Sequence, residues 1–204
     1  MLRDPPRRGG VSTRDKKREL REAALLKRRS IDPPRLELLS SRVMSNLLSL
    51  PEYERAKVII SYCAKADEVQ TRQIIEKALE NGKHVAAIVT DLASKTLTFS
   101  EIRSFQDDLE PGPFGILQPK KTRLFPVSLN DADMILVPLV AWDDEGHRLG
   151  YGGGYFDRAL ERARGVVTVG LALESQRLDR IPPSRHDVPL DVIVTEKRIV
   201  RRKG

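Results

Sequence analysis

The strongest strand signal in the chain is the apolar run Asp133-Met134-Ile135-Leu136-Val137-Pro138-Leu139-Val140-Ala141-Trp142. A run that is apolar at nearly every position is typical of a strand covered on both faces, as in parallel sheets. Residues 58–63 form a shorter run of the same kind, rich in β-branched side chains. Buried strands that alternate with helices predict an α/β fold.

Apolar periodicity and cap residues predict the other elements. Residues 33–48 follow an Asp-Pro helix start and have a buried stripe at spacings of three and four, made of Leu36, Leu39, Val43, Leu47 and Leu50. In the charged helix 14–29, the residues expected to face the body of the protein are Leu20, Ala23, Ala24 and Leu26. Further helices are predicted over 71–80 and 155–164, and further strands over 85–90, 96–102, 166–173 and 192–195.

These elements predict a three-layer α/β/α sandwich with a mostly parallel central sheet and the N-terminal helices packed on one side. Residues 103–130 contain prolines, glycines and charges and are expected to form a long surface connection. The length of 204 residues suits one domain. We expect that domain over 14–197, with a flexible basic tail over 1–13 and a second basic tail over 198–204.

The net charge of +7 is confined to the first thirty residues, which hold eleven Lys/Arg and four Asp/Glu. The other 174 residues carry 25 basic and 25 acidic side chains and are neutral overall. Aromatic residues make up only 5% of the chain, and no basic–aromatic pattern offers a platform for stacking nucleobases. The charge fits attraction to small phosphate-bearing molecules as well as to a polymer, and we do not expect a nucleic-acid partner.

Several classes of protein are excluded by what the sequence lacks. No apolar stretch approaches the ~20 residues that span a bilayer, and residues 1–17 lack the apolar segment of a secretory signal. Cys63 is the only cysteine, which excludes a disulfide framework and a thiolate metal cluster. We therefore expect a cytoplasmic protein with no membrane partner. We also expect a monomer, although none of these features determines the oligomeric state.

The loop that follows residues 133–142 carries the clearest functional signal, because ligands bind beyond the carboxyl ends of the strands in such sheets. Four glycines (Gly150, Gly152, Gly153 and Gly154) fall within five residues, immediately before a predicted helix. Glycines let backbone N–H groups approach a ligand, and the helix start adds about half a positive charge. The spacing matches neither a dinucleotide fingerprint nor a Walker A loop. The loop predicts an anion site, above all for phosphate, and a tight turn that merely needs glycine is the alternative.

The chain from residue 133 through Gly146-His147-Arg148-Leu149-Gly150-Tyr151-Gly152-Gly153-Gly154-Tyr155-Phe156-Asp157-Arg158 closely resembles the 5-formyltetrahydrofolate cyclo-ligases, also called methenyltetrahydrofolate synthetases. Three more stretches agree in order and rough spacing: Lys17-Arg18-Glu19-Leu20-Arg21, Asp67-Glu68 with Thr71, and Asp187-Val188-Pro189-Leu190-Asp191. The resemblance covers about residues 15–197.

The resemblance implies an enzyme that uses ATP and Mg²⁺ and whose partners are ATP and a reduced folate. The family phosphorylates the formyl oxygen on N5 of 5-formyltetrahydrofolate to an iminophosphate. Attack by N10 then closes the ring and leaves 5,10-methenyltetrahydrofolate, ADP and phosphate. Phosphoryl transfer leaves little covalent work for the protein, which agrees with the absence of an evident Ser/His/Asp or Cys/His arrangement in the sequence.

The resemblance also implies roles for individual residues. The residues expected to bind ATP are Lys17, Arg18, Glu19, Leu20, Arg21, Arg148, Leu149, Gly150, Tyr151, Gly152, Gly153, Gly154, Tyr155 and Phe156. Those expected to bind the folate are Cys63, Glu68, Tyr151, Gly152, Gly153, Gly154 and Tyr155, with Glu68 accepting hydrogen bonds from the pterin ring. Arg148 and Tyr155 are the expected catalytic residues, and Asp157 and Asp187 the expected Mg²⁺ ligands.

Other interpretations stay open at this point. Lys17 and Arg21 could lie on a solvated helix face, Asp157 could serve the first turn of its helix, and Asp187 could be a turn residue. At the level of function, one alternative is a non-catalytic homologue that binds nucleotide as a regulatory module, with RNA through its basic tails. Another is a sister enzyme that activates a different N-formyl or amide substrate.

Four positions depart from the usual pattern of the family. Leu139 stands where glycine is usual, Trp142 where phenylalanine is, Phe156 where a second tyrosine is, and Ile88 where proline is. None of these changes removes a group expected to bind phosphate or metal. The resemblance therefore supports ATP binding more firmly than specificity for folate.

Overall fold

The computed structural model describes residues 12–202 and has a single large sheet at its centre. The helices are α1 (Thr13–Arg29), α2 (Pro33–Leu48), α3 (Pro51–Arg55), α4 (Arg72–Glu80) and α5 (Tyr155–Leu160). The strands are β1 (Val58–Ser61), β2 (His84–Asp91), β3 (Thr96–Ile102), β4 (Leu109–Pro111), β5 (Leu117–Pro119), β6 (Pro126–Val127), β7 (Met134–Pro138), β8 (Ala141–Trp142), β9 (Arg148–Leu149), β10 (Val167–Leu171), β11 (Val192–Val194) and β12 (Ile199–Arg201). Within the described residues, no helix is both long enough and apolar enough to cross a membrane.

The central sheet has the strand order β12-β11-β10-β7-β1-β2-β3-β6, and β4–β5 and β8–β9 form separate hairpins. The five strands β11, β10, β7, β1 and β2 run parallel, and the outer strands pair antiparallel. The chain builds one half of the sheet outward from β1 and returns to β7 for the other half. This reversal of strand order beside β1 is the place where a ligand crevice forms in open α/β sheets.

Alternate residues of β7 face two different hydrophobic cores. Met134 and Leu136 contribute to the core that α2, α3 and α4 cover, whereas Ile135 and Val137 contribute to the core that contains Leu160 of α5. All four β7 side chains are fully buried, and burial of each stabilises the fold by about 1.5–3 kcal/mol. The expected α/β/α sandwich with a mostly parallel sheet is confirmed.

The two N-terminal helices differ in how well their buried faces were predicted. The buried stripe predicted along residues 36–50 agrees with the structure, since four of its five residues are buried and Leu39 is partly buried. In α1, Ala24 is buried as predicted, but Leu26 is 71% exposed. The inward face of α1 instead buries the charged side chains Lys17 and Arg28. A charged inward face indicates that α1 makes polar contacts with other segments as well as packing against the core.

Several predicted boundaries differ from the structure. Strand β7 ends at Pro138, which lacks the N–H that a strand interior needs, and the chain resumes as β8. Helix α5 ends at Leu160 because the next hydrogen bonds are of the tighter i to i−3 kind. Residues 199–201, expected in a tail, form β12 against β11. Of the expected N-terminal tail, residues 1–11 lie outside the described chain and Thr13 already begins α1.

Candidate functional site

An open cavity of about 1330 Å³ lies beyond the carboxyl ends of β1 and β7. Its wall is formed by α1, the segment after β1, the β4–β5 hairpin, the Gly-rich loop with α5, and the segment before β11. The predicted site residues that line it are Lys17, Arg18, Arg21, Cys63, Glu68, Arg148, Leu149, Gly150, Tyr151, Gly152, Gly153, Gly154, Tyr155, Phe156, Asp157 and Asp187. The fold therefore brings together residues from four distant parts of the sequence.

Two predicted ATP-binding residues are not part of the cavity wall. Glu19 is exposed on α1, and Leu20 packs against a small core that contains Val140 and Leu149. Successive residues of a helix point about 100° apart, so the run 17–21 cannot present every side chain to one ligand. The structure therefore gives Glu19 and Leu20 no place on this wall, and their part in ATP binding stays a prediction.

The Gly-rich loop has a backbone that glycine permits and most residues do not. Gly152 has φ +97° and Gly154 has φ +67°, both in the left-handed region. A Cβ added to Gly153 would lie 2.8 Å from the ring of Tyr155, which is closer than packing allows. These three requirements fit a phosphate-binding loop and equally fit the alternative, a tight turn that merely needs glycine, so the backbone conformation alone does not decide between them.

Cations hold this loop from two sides. From α1, Arg21 donates through Nε to the carbonyl oxygen of Gly150 at 2.7 Å. From α5, Arg158 donates through Nη2 to the carbonyl oxygen of Gly153 at 3.0 Å. These two guanidinium groups place positive charge beside the open cavity.

Two cation–carboxylate pairs border the cavity: one joins α1 to the segment before β11, and the other joins β9 to α5 across the Gly-rich loop. Lys17 forms an ion pair with Asp187 through Nζ, and Arg148 Nη2 lies 2.8 Å from Oδ1 of Asp157. Arg148 also donates through Nη1 to the carbonyl oxygen of Val188. Burial lowers the pKa of Arg148, against the opposing effect of Asp157 and Asp187, but a guanidinium stays charged in proteins. The cavity therefore keeps a fixed cation that water screens little.

Asp157 and Asp187 also suit a hard divalent cation. Each carboxylate uses one oxygen for its contacts, while Oδ2 of Asp157 and Oδ1 of Asp187 have no hydrogen-bond partner among residues 12–202. Their side chains are 29% and 26% exposed, respectively. Mg²⁺ is commonly bound by one or two carboxylates together with substrate phosphates, so this pair fits Mg²⁺. No larger cluster of His, Cys, Asp and Glu suited to a metal occurs in the described chain.

A polar network that joins the partly exposed Tyr151 to the buried side chains of Glu68 and Arg28 also borders the cavity. The Tyr151 hydroxyl donates to Oε1 of Glu68 at 3.0 Å and accepts from Nη2 of Arg28 at 2.5 Å. Burial first, and then the charge of Glu68, raise the pKa of Tyr151, which keeps the hydroxyl protonated. Burial also raises the pKa of Cys63 to about 12. The cysteine thus faces the cavity as a neutral thiol.

Sequence reasoning missed several residues of this site. Arg28 carried a detectable signal, because Lys17, Arg21, Ala24 and Arg28 follow one another at spacings of four, three and four and share a helix face. Gln118 carried no detectable signal in the sequence. It is 7% exposed, lines the cavity, and has a side-chain oxygen without a partner among the described residues.

The four departures from the family pattern fall in two groups. Trp142 is fully buried and donates through Nε1 to the carbonyl oxygen of Leu173, and Leu139 is a core residue. Ile88 and Phe156 instead line the cavity. Only the second pair can therefore contact a ligand.

Comparison with known proteins gives a consistent result. The model of the 5-formyltetrahydrofolate cyclo-ligase family matches residues 13–196. A Haemophilus influenzae 5-formyltetrahydrofolate cyclo-ligase is 33% identical over 157 residues, which cover 74% of this chain and 83% of that protein. The solved structure of Aquifex aeolicus 5,10-methenyltetrahydrofolate synthetase is 36% identical, with a TM-score of 0.81 over 92% of this chain and 94% of that one. The Mycoplasma pneumoniae 5,10-methenyltetrahydrofolate synthetase, 23% identical with a TM-score of 0.71 over 88% and 98% of the two chains, shares the fold.

Proposed function

The chain belongs to the 5-formyltetrahydrofolate cyclo-ligase family, and we propose that it converts 5-formyltetrahydrofolate to 5,10-methenyltetrahydrofolate with ATP and Mg²⁺, releasing ADP and phosphate. The observation that supports this most is the convergence of Lys17, Arg21 and Arg148 with the Gly-rich loop on one cavity wall. Oriented backbone amides and fixed cations around a concave surface bind phosphate groups. The proposal places the triphosphate there.

Lys17 and Arg21 bind the phosphates in this proposal, and both occupy positions from which they can do so. Lys17 shares its ammonium between Asp187 and the Ser184 hydroxyl, which it reaches at 2.8 Å. Its side chain is only 11% exposed, so its attraction for an anion in the cavity is weakly screened. Burial lowers the pKa of Arg21, and its remaining donors face the same wall as Gly152, whose added Cβ would lie 3.6 Å from Cζ of Arg21.

Asp157 and Asp187 are the proposed ligands of Mg²⁺. When bound, the ion neutralises charge on the phosphate oxygens and orients them for transfer. Arg148 holds Asp157, and Lys17 holds Asp187, by the ion pairs described above. These contacts fix which oxygen of each carboxylate remains open.

The reaction needs no nucleophile from the protein. The formyl oxygen on N5 attacks the γ-phosphorus of ATP, the bond to ADP breaks, and an N5-iminophosphate forms. N10 then adds to the activated carbon and loses its proton, and inorganic phosphate leaves. In this scheme Arg148 stabilises charge on the transferred phosphoryl group, and Tyr155, which packs between Gly153 and Arg158, positions it.

The folate occupies the end of the cavity lined by Glu68 and Cys63. The carboxylate of Glu68 accepts from Tyr151 and from the backbone N–H of Lys65 at 2.9 Å. A carboxylate has about four acceptor positions, so it retains capacity for the amino and N–H groups of a pterin. Ile88 and Ile116 supply apolar surface on the same wall.

The direct test is formation of the methenyl chromophore, followed by absorbance, from purified protein, ATP, Mg²⁺ and 5-formyltetrahydrofolate. We expect product only when all components are present. Asp157→Asn is expected to lower activity at least about tenfold, since loss of even an outer partner of a metal costs about 10–100-fold. Asp179→Asn is the matched control, because the Asp179 side chain is fully exposed and lies outside the cavity wall.

The outcomes separate the competing functions. ATP binding without any chromophore would favour a non-catalytic binding module and contradict the proposal. ATP-dependent phosphate release with another N-formyl compound, but not with 5-formyltetrahydrofolate, would favour a sister enzyme. Full activity of Asp157→Asn would remove that residue from the proposed metal site.

A further inference from the structure

Arg28 is the most deeply buried charged side chain of α1, and the resemblance assigned it no role. Its side chain is 1% exposed. The guanidinium donates to Oδ2 of Asp67 at 2.7 Å, to the Tyr151 hydroxyl at 2.5 Å and to the carbonyl oxygen of Leu139 at 3.2 Å. It thus joins α1 to the segment after β1, the Gly-rich loop and the end of the central strand. Such multiple contacts use the forked geometry of arginine.

Tyr151 turns these contacts into a link between the two ends of the cavity. Its backbone lies in the Gly-rich loop, between Gly150 and Gly152, where the phosphates are proposed to bind. Its hydroxyl donates to Oε1 of Glu68, the proposed acceptor for the pterin. Nη1 of Arg28 lies 4.0 Å from the same oxygen of Glu68. The position of Glu68 therefore depends on the position of the loop, through one hydroxyl and one guanidinium.

Helix α1 fixes the Gly-rich loop at two points. Arg21 binds the carbonyl oxygen of Gly150, and Arg28 binds the hydroxyl of the next residue, Tyr151. The two arginines are seven residues apart, about 10 Å along the helix. A ligand that orders the loop at one point consequently restricts Tyr151, and with it the carboxylate at the far end of the cavity.

We propose that Arg28 is a positioning residue that couples the two substrates, so that ATP and reduced folate each raise the affinity for the other. This rests on the function proposed above. Each ligand orders the Arg28–Tyr151–Glu68 network and bears the conformational entropy that this ordering costs. The ligand that binds second finds the network ordered and does not bear that cost again. By linkage the two factors must be equal, and typical couplings of this kind are about 5- to 150-fold.

The test compares binding constants and uses calorimetry with adenylyl imidodiphosphate as a non-hydrolysable nucleotide. Its Kd is measured with and without 5-formyltetrahydrofolate, and the ratio of the two values is the coupling factor. In the wild-type protein we expect a factor of at least about five. In Arg28→Lys we expect a factor near one, because the compact ammonium lacks the forked set of donors with which Arg28 reaches Asp67, Tyr151 and Leu139. Arg42→Lys is the matched control, since the Arg42 side chain is exposed on α2 and lies outside the cavity wall.

A merely structural role for Arg28 has a different signature. Loss of such a role would weaken the binding of both ligands and leave the ratio of the two Kd values unchanged. That result would overturn the proposal, as would a ratio of one in the wild-type protein. If Arg28→Lys does not fold, Tyr151→Phe gives the same test, because it removes the hydroxyl without changing any charge. An unaltered ratio of Kd values in Tyr151→Phe would also overturn the proposal. A wild-type protein that forms no methenyl product refutes the proposed function itself, whereas an active wild-type protein with an unaltered ratio in the variant refutes only the coupling.

Discussion

Substitution of Gly152 by alanine would test whether the backbone of the Gly-rich loop, and not only its charge, binds ATP. Gly152 has φ +97°, a conformation that costs a non-glycine residue about 1–3 kcal/mol. The added Cβ itself meets nothing closer than 3.6 Å, so the effect is conformational and not a clash. Gly150 is the matched control, because its φ is not positive and a Cβ there has no neighbour within 4 Å.

The size of the effect follows from the population of the binding-competent loop. A cost of about 1–3 kcal/mol reduces that population by about 5- to 150-fold, at about 1.4 kcal/mol per tenfold. The apparent Kd for ATP rises by the same factor. Because Gly152 lies in an exposed loop, we expect the melting temperature to change little.

The assay is titration of ATP with Mg²⁺ into wild type, Gly152→Ala and Gly150→Ala, with circular dichroism melting of each protein. We expect only Gly152→Ala to bind weakly. Wild-type affinity in Gly152→Ala would refute the argument that this loop conformation binds phosphate. An equal loss in both variants would also refute it, since any side chain would then be harmful regardless of φ.

Two further predictions concern titration. Arg201 binds both carboxylate oxygens of Glu52, at 2.6 and 3.1 Å, and hydrogen bonding to it lowers the pKa of Glu52 from 4.5 to about 2; the stability this adds is present above about pH 4.5 and is lost as the pH falls toward 2. Urea unfolding of wild type and Glu52→Gln is therefore expected to give a difference in unfolding free energy that shrinks from pH 5 to pH 3, and a difference independent of pH would contradict the role of this pair. Burial raises the pKa of Cys63 from 9.0 to about 12, so at pH 8 its thiolate fraction falls about a thousandfold and alkylation by iodoacetamide, followed by mass spectrometry, is expected to slow accordingly relative to the denatured protein. A rate within tenfold of the denatured protein would show that the thiol is not buried in this way.

The parts of the fold that sequence predicted best are those where burial alone sets the pattern. In β7, Ile135 and Leu136 point to opposite faces and are both fully buried, so a continuous apolar run was a sufficient signal. Strand β12 was missed because its pattern is short and basic, and because its place depends on pairing with β11 and on the contact between Arg201 and Glu52. Neither contact is local in sequence.

The site shows the same division between local and distant information. The Gly-rich loop is local, and its glycines pointed to a phosphate site. The network around Arg28 is distant, since Asp67 and Tyr151 lie 39 and 123 residues away. Apolar periodicity also misled in α1, where it placed Leu26 inward although that side chain is 71% exposed. The inward face of that helix carries charged side chains because it binds loops, and apolar periodicity cannot indicate such a face.

The first helical turn of α1 has a practical consequence for preparing the protein. Thr13 and Arg14 are part of the cavity wall, so the first turn of α1 lies beside the opening. A polyhistidine affinity tag placed close to this turn would bring imidazoles, which bind divalent ions, next to the proposed metal ligands. Ligand titrations should therefore be made after proteolytic removal of such a tag.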